Sequence, residues 1–367
     1  MRKKLILLIL LMLTIILTLL NMNKGGKFIK DAASIQLITT KGFTKSDTLI
    51  KDSFAKDSAQ ISSVLKKYEY VEASAIKACD KNGTATIVSQ ETGFNVVAIE
   101  NSNSFEYYKE KSNGCELIGK ISDVKFTENI VEAYANDSIY TSFESNNNFE
   151  ISGMVKVKDD EVTSIDTLDN RYTNPTAFSN GVLMIQNNKN VVAFDKDDKV
   201  IFQQNNSKSS RQILALNVID NSLFLIIKDD NKVSIEGYNI EDKDSFISAK
   251  PAITYEITKY IGNVGSEITT KKSNSYASFT TNNNTIVVSK DLAKVIVLEK
   301  YNTTLGFNGS DIIVKKDENY YVFNLDNNTF EDFGKIKALN FKFSGNSIVF
   351  EVLNKDGKSE YIKFNKG

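Results

Sequence analysis

The sequence predicts an all-β protein behind a single apolar N-terminal helix, and three observations predict it. Past residue 70, runs of Val, Ile, Phe and Tyr four to seven residues long alternate with Asn, Asp, Gly and Ser clusters, the pattern of short strands joined by tight turns. No long segment there keeps a 3.6-residue apolar period. One hairpin unit also recurs along the chain, which marks a repeat architecture.

The N-terminus comes first. Arg2-Lys3-Lys4 precedes an unbroken run of Leu, Ile, Met and Thr from Leu5 to Leu20. A basic start stays in the cytoplasm, so everything after about Asn21 is expected outside the membrane. The run spans about 24 Å against a hydrocarbon core of about 30 Å. Bilayer thinning and snorkelling by Lys3, Lys4 and Lys24 would accommodate the difference. The flank from Leu20 to Gly26 lacks the small residues that cleavage requires. We therefore read residues 1–24 as an uncleaved signal anchor, 25–33 as a linker and 34–367 as the ectodomain, with secretion after cleavage as the alternative.

Asp47 to Lys67 is the one helix candidate in the body, with Ile50, Phe54, Ile61, Val64, Leu65 and Tyr68 on a shared face. After it the hairpin unit repeats: an apolar strand end, a short polar turn, then an aliphatic strand. Copies begin at Lys77, Ala133, Ala177, Asn217, Ser278, Gly306 and Lys342, a mean interval of about 44 residues, the period of a four-stranded blade. Second partners follow, as at Asn190–Asp195, Tyr320–Asn324 and Glu360–Phe364. In layout and period the chain resembles the β-propeller class, in the WD-repeat-like or quinoprotein-like sense, over about residues 34–366. The resemblance implies seven blades, with Ser34–Thr40 supplying the outer strand of the last and closing the ring. The Trp-Asp and Gly-His signatures of WD repeats are impossible here, because the chain has neither Trp nor His. Two packed β-sandwiches would give similar hairpin spacing and are the competing architecture.

Composition narrows function mostly by exclusion. Net charge is -1, with 45 Lys and Arg against 46 Asp and Glu, so no basic field points to nucleic acid. Without histidine, Ser-His and Cys-His catalysis and histidine zinc sites are ruled out. Neither a glycine-rich phosphate loop nor a cofactor box occurs, so no cofactor and no metal is expected. Cys79 and Cys115 are the only cysteines; they are either a disulfide, which the compartment would allow, or two buried thiols.

Acidic clusters at Asp159-Asp160-Glu161, Asp195–Asp198, Asp229-Asp230 and Asp242–Asp244 lie between strand-like runs and read as solvated turns. Asn354–Gly357 faintly resembles the start of a calcium loop, but Lys358 falls at a ligand position. Tyr107-Tyr108 and Tyr320-Tyr321 sit on presumed strands, where one ring of each pair should face inward and one outward. Arginine is rare. Arg171 and Arg211 are the only ones beyond the N-terminus, each just ahead of the first strand of successive repeats. In a ring both guanidiniums would emerge on one rim, suited to carboxylate or phosphate groups, with Tyr172 and Tyr276 as stacking surface. Loop-anchoring ion pairs are the plainer role for both arginines.

The functional expectation is a membrane-anchored extracytoplasmic binding or scaffolding module, held by Leu5–Leu20. It would present loops to an envelope protein, a wall polymer or a small ligand. The alternative is a carboxylate-dependent glycan hydrolase or lyase, which requires two acids converging about 5–10 Å apart in one concave pocket.

Overall fold

The computed structural model describes residues 36–49, 68–73 and, with internal gaps, 79–366. Three strands come first: β1 (Gln36–Thr39), β2 (Thr44–Leu49) and β3 (Tyr68–Ala73). Sheet I then holds β4 (Thr84–Glu91), β5 (Phe94–Asn101), β6 (Ser104–Lys111) and β7 (Gly114–Ser122). Sheet II holds β8 (Val124–Lys125), β9 (Ala133–Ala135), β10 (Ser138–Ser145), β11 (Gly153–Lys158) and β12 (Glu161–Ser164). Sheet III runs β13 (Tyr172–Phe178), β14 (Gly181–Gln186), β15 (Asn190–Phe194), β16 (Val200–Gln204). Sheet IV runs β17 (Arg211–Ile219), β18 (Ser222–Asp229), β19 (Lys232–Asn239), β20 (Ile253–Glu256). Sheet V holds β21 (Thr269–Lys272), β22 (Tyr276–Thr280), β23 (Asn284–Ser289) and β24 (Lys294–Glu299). Sheet VI holds β25 (Thr303–Asn308), β26 (Asp311–Lys316), β27 (Asn319–Asn324) and β28 (Thr329–Lys335). Sheet VII holds β29 (Ala338–Ser344), β30 (Ser347–Leu353) and β31 (Ser359–Lys366).

The sheets radiate from one axis. Innermost strands follow one another around it: β29 packs on β4, then β4 on β9, β9 on β13, β13 on β17, β17 on β21 and β21 on β25. This is an all-β propeller, not a pair of stacked sandwiches. The expectation of seven blades is corrected: the propeller has six regular blades, and the remaining sheet, sheet II, does not form one. Sheet II is irregular: its innermost strand β9 has three residues, β12 is exposed along its length, and β8 pairs only with the far end of β10.

Apolar clusters fill the wedges between neighbouring sheets. Leu183, Ile185 and Val191 of sheet III meet Leu216, Val218 and Leu223 of sheet IV. Phe224, Ile226 and Val233 meet Phe279, Ile286 and Val295 of sheet V. Middle strands are therefore buried on both faces, as in β14, where every residue is buried, and they read as continuous aliphatic runs for that reason. The same packing corrects the expectation for Tyr107-Tyr108. Both rings are buried, because β6 has a neighbouring sheet on each side.

Turns are where the sequence placed them. Asn136, Asp137, Asp159, Asp160, Asn187 and Asn188 all have positive φ, the conformation tight hairpin turns demand and Asn and Asp tolerate. The irregular repeat intervals also gain a cause. The copy beginning at Ser278 is the β22–β23 hairpin, one strand further out than the inner β13–β14 and β17–β18 hairpins of the copies before it.

Ring closure differs from expectation. The outer strand of sheet VII is β3, antiparallel to β31, and not Ser34–Thr40. A strand that ends shortly before β4 joins the last sheet to the first by a local connection. Gln36–Thr39 instead adds in parallel to β24, and β2 adds in parallel to β28. Thr44–Leu49 is thus strand where a helix was predicted to begin, and residues 50–67 of that helix lie outside the described residues. So does Leu5–Leu20. Among the described residues no helix is long and apolar enough to cross a membrane.

Antiparallel order within each sheet fixes two faces. One carries the connections between sheets (the connection face). The other carries the turns that follow innermost strands and those between third and fourth strands (the turn face).

Candidate functional site

Arg171 directly precedes β13 and Arg211 opens β17, so both begin on the connection face. Each is taken up by a nearby carboxylate. Arg171 Nη1 lies 3.3 Å from Asp166 Oδ2, with its side chain 61% exposed. Arg211 Nη2 pairs with Glu236 of β19, which also accepts from Tyr238 Oη at 2.5 Å. That carboxylate is buried, so Arg211 anchors sheet IV from within. Tyr172 is buried edge-on against Phe194, with centroids 5.3 Å apart. Tyr276 starts β22 on the turn face and donates to Asp326 at 2.7 Å. The four residues therefore divide between two faces.

Residues the sequence reading passed over make the connection-face loop rigid. Asp166 accepts from the backbone N–H of Tyr172 at 2.8 Å and of Met154 at 3.2 Å. Asn187 accepts from the Arg171 N–H at 2.8 Å and donates to the Asp169 carbonyl at 3.0 Å. Gln186 donates to Asn170 Oδ1 at 2.8 Å. At the loop's tip Leu168 is 100% exposed. In sequence this stretch is only another Asp- and Asn-rich turn; the signal was the leucine inside it.

On the turn face a cleft of about 550 Å³ opens between sheets IV and V, lined by Asp220, Asn221, Ser222, Ser275, Tyr276, Ser289, Lys290 and Asp291. Its walls are tied across the sheets: Ser222 Oγ donates to the Lys290 carbonyl at 2.7 Å, and Lys290 pairs with Asp220. Ser289 Oγ donates to Asp291 at 2.5 Å. At the neighbouring boundary, between sheets V and VI, burial pushes the Tyr276 phenol well up, while hydrogen bonds from Ser310 and Tyr276 hold Asp326 below the usual carboxylate range. A cleft with hydroxyls and both charge signs suits polar ligand groups, not an apolar one.

The structure joins Cys79 and Cys115 as a disulfide, with Cα atoms 5.3 Å apart. The acidic clusters at 159–161, 195–198 and 229–230 sit on turns between strands; Asp242–Asp244 and Asn354–Gly357 lie outside the described residues. Among the described residues no group of three or more Asp, Glu or Cys converges as metal ligands would.

No family model matches the chain, and no curated protein matches it. Solved structures similar to it include BamB from Moraxella catarrhalis, at 10% identity and TM-score 0.44, covering 81% of this chain and 98% of that one. Hsv2p from Kluyveromyces lactis is 10% identical with TM-score 0.42, over 77% of this chain and 97% of the other. A chain of the mitotic checkpoint complex is 9% identical with TM-score 0.46, over 88% and 99%.

Proposed function

We propose that the chain is a membrane-anchored extracytoplasmic scaffold, held by Leu5–Leu20, that binds a protein partner of the cell envelope through its connection face. One observation carries the reading: the loop of residues 165–171 is braced from both sides, yet holds Leu168 wholly in water beside the exposed Arg171. An isolated exposed leucine is ordinary. One fixed in place by a buried carboxylate and two side-chain amides is preorganised, which lowers the entropy cost of docking. The Cys79–Cys115 bridge suits an oxidising compartment, and the basic-then-apolar start supplies the address.

Recovery of a partner from an envelope extract tests this. The intact chain should retain one partner that the Leu168→Asp/Arg171→Ala double variant loses, while Arg211→Ala keeps it. Equal recovery by the double variant would refute the site. Protease protection of the C-terminal body in intact cells would refute the address. The enzymatic alternative has less support, since the described acidic clusters lie on turns.

A further inference from the structure

The turn-face cleft of about 550 Å³ is a second surface, which the scaffold role does not use. Its volume falls within the range of small-molecule sites, about 300–1,000 Å³. One wall is the β17–β18 turn, with Asp220 and Asn221. The other is the start of β22 and the β23–β24 turn, with Ser275, Tyr276, Lys290 and Asp291. These walls belong to different sheets and are held at a fixed separation. Ser222 Oγ donates to the Lys290 carbonyl at 2.7 Å, and the Lys290 N–H donates to the Ser275 carbonyl at 2.8 Å. The Lys290 ammonium closes the tie on Asp220 Oδ2.

What the fold leaves over decides the ligand class. The lining carries two carboxylates, Asp220 and Asp291, against one ammonium that is already paired, so an anionic ligand meets repulsion. Tyr276 is the one aromatic ring in the lining; it is 6% exposed and its hydroxyl is committed to Asp326. A lipid or aromatic ligand would find almost no apolar surface. Among the described residues, the Asn221 amide and the Ser275 hydroxyl make no hydrogen bond. Asp291 accepts from Ser289 Oγ and the Ala293 N–H through Oδ1 alone, and Asp220 from Lys290 through Oδ2 alone. Each carboxylate therefore keeps one oxygen free beside an unused amide and an unused hydroxyl. Hydroxyl groups, which both donate and accept, match such a mixture.

We propose that this cleft binds a neutral saccharide, its hydroxyls donating to Asp220 and Asp291 and exchanging hydrogen bonds with Asn221 and Ser275. Hydroxyl-to-carboxylate bonds are charge-assisted, and walls already tied together lower the ordering cost of binding. The site lies on the opposite face from the loop of residues 165–171 and stands independently of that loop's role.

The test titrates the full chain calorimetrically, in micelles of a detergent without a sugar headgroup. The probes are glucose, galactose and N-acetylglucosamine, each as the free sugar and as a linear trimer, with glucuronate and triglycine beside them. At least one neutral sugar should bind saturably. A trimer preferred about tenfold over its monomer identifies a glycan chain as the source; equal affinity identifies free sugar. Asn221→Ala and Ser275→Ala each remove an exposed side chain without a partner, so each should weaken that ligand about three- to tenfold and leave the thermal midpoint in place. Binding by no neutral sugar, glucuronate bound as tightly as the neutral ligand, or triglycine bound in place of any sugar would overturn the proposal. So would an unchanged affinity in the Asn221→Ala/Ser275→Ala double variant. Should the variants fail to fold, amine acylation of the unaltered chain decides: the bound sugar should slow labelling of Lys290 and not of Lys189 on the connection face. Labelling of Lys290 indifferent to sugar would sink the site.

Discussion

The outer rim of the ring is strapped on one side and bare on the other. Sheets V, VI and VII carry β1, β2 and β3 on their outer edges, while sheets I to IV end on β7, β12, β16 and β20. Every large hydrophobic side chain exposed among the described residues lies on the bare side, in or beside sheets I to III: Leu117, Val162, Leu168 and Val200. A free strand edge invites unwanted pairing. The N-terminal strands move the edge of three sheets onto strands of four to six residues, and sheet I carries a covalent tie from Cys79 to Cys115 on β7. Under the proposed function the two sides divide the labour: the strapped side closes the ring and the bare side carries the surface for partners.

The largest expected effect falls on the strap. Phe43, between β1 and β2, is buried edge-on against Phe323 at 5.0 Å and joins the apolar wedge between sheets V and VI. Phe43→Ala should cost about 3–5 kcal/mol, the range for deleting a buried phenylalanine. Denaturant unfolding should show it, with exchange of β24 and β28 amides accelerated ahead of those in sheet III. Uniform acceleration around the ring would mean that the strap is not a local device.

On the bare side the comparable device is the disulfide. It closes a separation of 36 residues, so reduction, or a Cys79→Ser/Cys115→Ser variant, should lower stability by about 3–4 kcal/mol in the chain-entropy account. A thermal scan with and without reductant measures it. Loss of stability without loss of the ring would keep the two devices separate; failure to fold at all would make the bridge as essential as the strap.

A smaller effect tests the ties between sheets. Tyr276 of sheet V reaches Asp326 in the β27–β28 turn of sheet VI, as Tyr140 of sheet II reaches Asp198 in the β15–β16 turn of sheet III at 3.4 Å. Asp326 has a lowered pKa, so it stabilises above its ordinary value near 3.8 and loses that contribution as pH falls through its folded value. Tyr276→Phe should cost about 1 kcal/mol at neutral pH, since Asp326 is exposed to water. The deficit against wild type should shrink below about pH 4. A deficit constant with pH would assign the cost to packing alone.

Much of the fold was legible because its turns are written in Asn, Asp and Gly. The hairpins Asn136-Asp137 and Asp159-Asp160 are as plain in sequence as in structure. Partners for the N-terminal strands were not. Gln36–Thr39 carries only Leu37-Ile38 between polar ends, which names no partner, and Thr44–Leu49 has Leu49 as its one apolar residue, so neither shows a strand period. β21 escaped notice because Thr-Thr-Lys-Lys is polar and four residues long; only its place on the axis makes it strand. Arg171 stood out by rarity, whereas Asp166 and Asn187, which position it, were lost among dozens of similar residues.

The smallest expected effect is the most informative about the bare side. Leu168 touches solvent alone, and its loop is held by Asp166 and Asn187, not by the leucine. Leu168→Ser should therefore change stability by less than about 0.5 kcal/mol, the range for surface substitutions away from structural features. Asp166→Asn, by contrast, keeps the size of the brace but removes its charge and should loosen the loop, read as faster exchange of the Tyr172 and Met154 amides. Were Leu168→Ser to destabilise the chain as Phe43→Ala does, the leucine would be serving the fold, and the contrast between a closing side and a presenting side would fail at its sharpest point.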